Sequence, residues 1–154
     1  MPRPGAPRNR PPELRIANRQ RAHRVDLARL RRLAQAALPL CLAERGPLPP
    51  VLAKLPAVEV AVVSAAAMSR VHVDFMGIDG PTDVITFPYG EIVVCAEIAA
   101  ENAARYVVAF DDELALYVIH GLLHLNGFDD LSPAPARKMR TRQAKILSAV
   151  RRAR

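Results

Sequence analysis

The chain has 154 residues, 51% of them apolar, which suits one domain with a single aliphatic core. No apolar run approaches the roughly 18 residues of a membrane span, so no membrane partner is expected. Met1 to Pro12 lacks the apolar centre of a secretory signal, so a cytoplasmic location is expected. The net charge of +7 is unevenly spread. Arginines crowd Arg3 to Arg32, basic residues without any acid fill Arg137 to Arg154, and most carboxylates lie between Asp74 and Asp130. Basic ends around an acidic middle suit steering of RNA or DNA, and equally suit solvated tails. No aromatic residue interleaves with the basic runs, so these runs do not indicate a base-stacking platform.

In chain order, residues 1–12 hold five prolines and three arginines and are expected to be a disordered basic tail. The domain is expected over 13–150. Glu13 to Gln20 alternates as a first strand. Val25 to Leu38 carries apolar residues at helical spacing. Pro39 to Pro56 is punctuated by proline and reads as a loop with at most a short helical turn. Val58 to Val63 reads as a strand, and Ser64 caps a helix running to about Met76. Gly77 and Asp79-Gly80-Pro81 form the following turn. Val84 to Phe87 and Gly90 to Cys95 read as strands, and Ala96 to Tyr106 as a helix. Another helix runs from about Asp112 to Leu125, and Pro133 starts the last one. The order β-α-β-α-β-β-α-α-α predicts an α+β domain with one mixed sheet, the first two strands parallel if adjacent.

The chemistry concentrates in His120 to Asp130, which reads His-Gly-Leu-Leu-His-Leu-Asn-Gly-Phe-Asp-Asp. Two histidines four apart lie on one helical face, one turn apart, where both imidazoles can reach one ion. Gly127 can end the helix in a left-handed conformation. Asp130 then returns six residues after His124. This is the spacing of the metzincin zinc helix, with three protein ligands and a fourth position left for water. The glutamate that serves such peptidases as general base is Gly121 here, which weakens the peptidase reading. Two core histidines beside an Asp-Asp turn are the bland alternative. Of the two adjacent acids, the register favours Asp130 as ligand and leaves Asp129 for a turn-capping or supporting hydrogen bond.

These residues resemble the signature of the YbeY family, whose usual form is His-Gly-x-Leu-His-Leu-x-Gly-Tyr-Asp-His. Pro81-Thr82-Asp83-Val84-Ile85-Thr86-Phe87-Pro88 resembles the family's Pro-Thr-Asp-Val-Leu-Ser-Phe-Pro, Gly90-Glu91-Ile92 resembles its Gly-Asp-Ile, and Met139 with Gln143 fits its last helix. The resemblance covers about residues 58–150. It implies a small mixed sheet covered by helices with the metal helix central. It also implies a single-strand endoribonuclease of ribosomal RNA maturation, with one zinc ion per chain on His120, His124 and Asp130, and with ribosomal proteins as further partners. It places Asp83 beside the cleft as a supporting residue; by itself Asp83 reads equally well as a turn cap.

The chain departs from the family pattern twice. Asp130 stands where the family has histidine and remains a competent ligand. Met76 stands where the family has an arginine taken to contact phosphate, and a thioether neither donates a hydrogen bond nor neutralises a phosphate. Arg70 and Arg105 are the candidate replacements. His72 and His23 read as structural or surface histidines. Cys41 and Cys95 read as two buried thiols with no role. The other readings are a zinc metallopeptidase-like hydrolase and a ribosome assembly factor that binds RNA with weakened catalysis.

Overall fold

The structure, a computed structural model, describes residues 10–153, so most of the expected tail lies outside the described residues. The elements are β1 (Glu13–Asn18), α1 (Leu27–Ala43), β2 (Ala57–Val63), α2 (Ala65–Met76), β3 (Val84–Phe87), β4 (Glu91–Cys95), α3 (Ala96–Tyr106), α4 (Phe110–Leu125) and α5 (Pro133–Arg152), with a 3-10 turn at Leu52–Lys54. The order of strands and helices is the one expected. The sheet order is β1-β2-β4-β3. β1, β2 and β4 are parallel, and β3 runs antiparallel to β4 at the sheet edge. No described helix is long and apolar enough to cross a membrane.

The period-2 alternation of β2 and β4 sorts side chains to two faces. Val58, Val60, Val62, Ile92 and Val94 join the main core under α1, α4 and α5. Ala61, Val63, Val93 and Cys95 face the other way and form a smaller cluster with Met68 of α2 and Ile85 of β3. α4 is apolar nearly all round, with Leu114, Ile119, Leu122 and Leu123 fully buried, as a helix at the centre of a domain must be. Burying each leucine contributes roughly 1.5–3 kcal/mol relative to leaving it in water.

α1 does not stop where the proline predicts. It runs through Pro39 to Ala43. An interior proline costs about 3 kcal/mol through the missing hydrogen bond and ring clash. Pro39 is on the solvent side, while the buried stripe Leu30, Ala34, Ala37, Leu38 continues one turn further to Cys41. The end of the helix also finds an outside partner: the Asn126 side-chain amide donates to the Cys41 and Glu44 carbonyls. Burial and this borrowed cap outweigh the proline. Both cysteines are free and buried, and burial, with Glu44 nearby, pushes the Cys41 thiol up to about 12.

The acidic start of α4 has a use beyond the helix dipole. Asp112 is buried and pairs with Arg29 of α1 at 2.8 Å and Arg151 of α5 at 3.1 Å. Two arginines of the basic ends therefore clamp α1, α4 and α5 together, where removing one partner would strand a buried charge.

Candidate metal centre

The last turn of α4 carries His120 and His124 on one face, as their spacing predicts. Their Nε2 atoms lie 3.0 Å apart. Each ring is fixed through its other nitrogen. His124 Nδ1 is 3.0 Å from the Phe128 carbonyl oxygen, to which it must donate. His120 Nδ1 donates to Gln143 Oε1 of α5 at 2.7 Å. In the neutral rings both Nε2 atoms are then bare lone pairs pointing at one another. Asp130 completes the group, with Oδ2 3.4 Å from His120 Nε2 and Oδ1 3.6 Å from His124 Nε2. Ligand atoms of all three residues lie within 4.8 Å of one another. Two converging lone pairs and a carboxylate repel one another unless a cation lies between them, so these residues fit a metal ion. The donor set, two imidazoles and a carboxylate, suits zinc among other transition metals. Burial first, and the neighbouring His120 second, hold His124 below the usual imidazole range, which keeps its lone pair free.

The turn that returns Asp130 is held by close backbone contact. Gly127 has φ +95°, and a Cβ there would collide with the Leu48 carbonyl oxygen. Gly46 in turn has no room for a Cβ against Gly127. The Leu48 amide donates to the Gly127 carbonyl at 2.9 Å, and the Val51 amide to the Leu125 carbonyl at 2.8 Å. Asp129 accepts the Leu131 amide at 3.1 Å, a turn-capping bond.

Gly121 faces neither the histidines nor the cleft. A Cβ at this position would lie 2.7 Å from Ile92 Cδ1 of β4. The helix packs on the sheet through this glycine, so the position of the peptidase glutamate is occupied by core.

The triad opens into a cleft of about 560 Å³ that reaches across the edge strand β3 to α2. Thr82, Asp83, Thr86, His72 and Met76 line it. Asp83 caps the start of β3: its Oδ1 accepts the Val84 amide at 2.7 Å and the Thr82 hydroxyl at 3.3 Å. The Thr86 hydroxyl is buried and has no hydrogen-bond partner among the described residues. His72 is brought to the cleft although its sequence setting reads as structural; its Nδ1 donates to the Gly80 carbonyl at 2.8 Å, which turns its other nitrogen outward. Arg70 and Arg105 are not among the lining residues, and neither is any other lysine or arginine. The cleft lining itself thus supplies no cation in place of the one missing at Met76.

A small α+β sheet with a helix-borne His-His-Asp group in an edge cleft defines a class of protein whose three side chains could hold a metal ion beside an open cleft. The comparisons give the family. Residues 15–151 match the family described as Endoribonuclease YbeY, and the chain belongs to it. The Micrococcus luteus protein named Endoribonuclease YbeY is 39% identical over 107 residues, covering 59% of this chain and 68% of that protein. Its Frankia casuarinae counterpart is 32% identical and covers 87% of this chain and 72% of its own. The solution structure of TM1509 from Thermotoga maritima superposes with a TM-score of 0.56 at 29% identity, covering 89% of this chain and 88% of that one.

Proposed function

We propose that this chain is a metal-dependent endoribonuclease that cuts single-stranded regions of ribosomal RNA during ribosome biogenesis in the cytoplasm, using one zinc ion held by His120, His124 and Asp130. The observation that carries the reading is the pair of bare Nε2 lone pairs at 3.0 Å beside a carboxylate, in a cleft open to a polymer. When bound, a divalent ion there supplies Lewis-acid polarisation of a phosphate oxygen and eases deprotonation of an attacking water. The chain's own residues do the rest. Gln143 and the Phe128 carbonyl fix both imidazoles in the ligating tautomer. Asp130 adds a negative charge to the ligand set and so tempers the ion's acidity relative to three neutral ligands. Asp83 holds the start of β3 against the cleft.

The packing of Gly121 against Ile92 argues against a peptidase with its base in the usual place. The test combines metal analysis of freshly purified protein with single-turnover cleavage of a single-stranded RNA, with and without chelator. The reading expects close to one zinc per chain and chelator-sensitive cleavage. Cleavage indifferent to chelator, or RNA left intact by metal-loaded protein, would sink it. Binding of RNA without cleavage would favour the assembly-factor reading, which the exposed Met76 in the cleft wall supports.

A further inference from the structure

Three aromatic rings stand in a row across α2, β3 and the turn after it, beside the cleft. Phe75 of α2 meets Phe87 of β3 edge-on at 5.0 Å between centroids, and Phe87 stacks on Tyr89 of the following turn at 5.5 Å with 20° between planes. Phe87 is half-buried against the smaller core cluster, but Phe75 is 66% exposed and Tyr89 65%. The chain has only four Phe and three Tyr, so three of the seven gather here. The rings lie beside the cleft and not in its lining: Met76, Thr86 and Pro88, their chain neighbours, are the residues that line it. Tyr89 is also held in place, its hydroxyl donating to Glu91 Oε2 at 2.7 Å.

The charge around the row selects among occupants. From Val71 to Ala104 there is not one lysine or arginine, while Asp74, Asp79, Asp83, Glu91, Glu97 and Glu101 all fall within that stretch. Within that stretch a phosphate backbone meets carboxylates and no counter-charge. What the row itself offers a polynucleotide is stacking for its bases, and every base has a face that stacks on an aromatic ring whatever its identity. Bases locked in a duplex cannot reach such a row, whereas unpaired ones can.

We propose that Phe75, Phe87 and Tyr89 form a base-stacking platform for unpaired RNA bases entering the metal-centre cleft, an inference that rests on the endoribonuclease reading above. The platform makes strand selection a matter of exposed ring faces and leaves phosphate neutralisation to other parts of the molecule. It tolerates any base sequence and rejects duplex.

The test is equilibrium binding of a labelled single-stranded RNA made resistant to cleavage by 2′-O-methylation, alongside the same strand carrying consecutive abasic positions. Wild-type protein should bind the abasic strand about 10-fold more weakly or worse. Phe75→Ala and Tyr89→Ala should each weaken binding of the intact strand about 10-fold and shrink the abasic penalty correspondingly. Tyr89→Trp should restore both. These side chains are exposed, and thermal melting by circular dichroism checks that the variants stay folded. Alanine variants that bind as wild type, or that lose the intact and abasic strands equally, would overturn the platform; the first of these outcomes would leave the rings as a protein-docking patch. If wild-type protein binds and cuts RNA but the aromatic variants change nothing, this inference alone falls. If wild-type protein binds no RNA, the endoribonuclease reading falls with it.

Discussion

The helices α4 and α2 both contribute to the cleft, and they are built on opposite plans. On the α4 side the polar side chains are tied down by neighbours. Each histidine is fixed through its second nitrogen, Asp129 caps the turn, and Asn126 reaches back to α1. On the α2 side the described structure buries only Met68 fully, and the helix leaves Val73, Phe75 and Met76 in solvent. The difference separates two tasks. Holding an ion demands ligands fixed within a fraction of an ångström, and hence a dense supporting shell. Receiving a polymer of varied sequence demands accessible faces and few fixed directional contacts. On the proposed reading, the cleft has one wall for each.

The largest expected effect strikes the α4 wall directly. His120→Ala with His124→Ala should remove the metal altogether, read by metal analysis. Asp130→Asn should lower affinity sharply, while Asp130→His should retain the ion. Asp129→Asn should cost at most about 10- to 100-fold. If Asp129→Asn strips the ion and Asp130→Asn does not, the ligand register is wrong by one residue.

The turn comes next. Gly127→Ala adds a side chain at φ +95° and against the Leu48 carbonyl. Left-handed strain alone costs about 1–3 kcal/mol, and the collision adds to it. Thermal unfolding should show a drop in Tm of several degrees; a variant as stable as wild type would mean that the interlock with Gly46 and Leu48 is loose.

A step smaller, Gln143→Ala removes the partner of His120 Nδ1 and should weaken metal binding about 10- to 100-fold without unfolding the domain. Competition with a chromophoric chelator measures it, and unchanged affinity would show that the α4 wall does not need its outer partners.

The smallest change tests the α2 wall. Met76→Arg introduces a cation where the lining residues have none. At a position 55% exposed, the gain in RNA affinity should be about 1 kcal/mol, roughly 5-fold, and should fade as salt rises. Unchanged affinity at low salt would mean that phosphates never approach this wall, which would sharpen the division between the two.

How much of this was legible in the sequence follows the same division. The α4 wall is nearly continuous in the chain: helical spacing, a glycine and a returning acid fit within His120 to Asp130, and local geometry alone brings them together. The order of elements along the chain, the bounds of α3 and the start of α5 were equally open, because periodicity and the proline at Pro133 marked them. The α2 wall was not legible. Phe75, Phe87 and Tyr89 are separated by a helix end, a turn and a strand, and only the edge position of β3 lines them up. The continuation of α1 past Pro39 was hidden for a related reason. Its cap, Asn126, lies 85 positions away from Cys41 in the sequence. The pairing of Asp112 with Arg29 and Arg151 was likewise invisible, since a charge at a helix start reads locally as a dipole partner.

The interlock of Gly46 and Gly127 has a consequence for the timing of maturation. The turn that carries Asp130 rests on the segment after α1, and the orientation of His120 depends on Gln143, near the end of the chain. A nascent polypeptide that stops short of α5 has the histidines but not their fixed rings, and one whose α1 has not docked lacks the support of the turn. On the proposed metal-dependent reading, affinity for the ion is complete only when these sequence-distant segments have closed on each other. In refolding followed by stopped flow, uptake of the ion should lag behind helix formation and coincide with the last packing step, so that the ion enters only a completed chain.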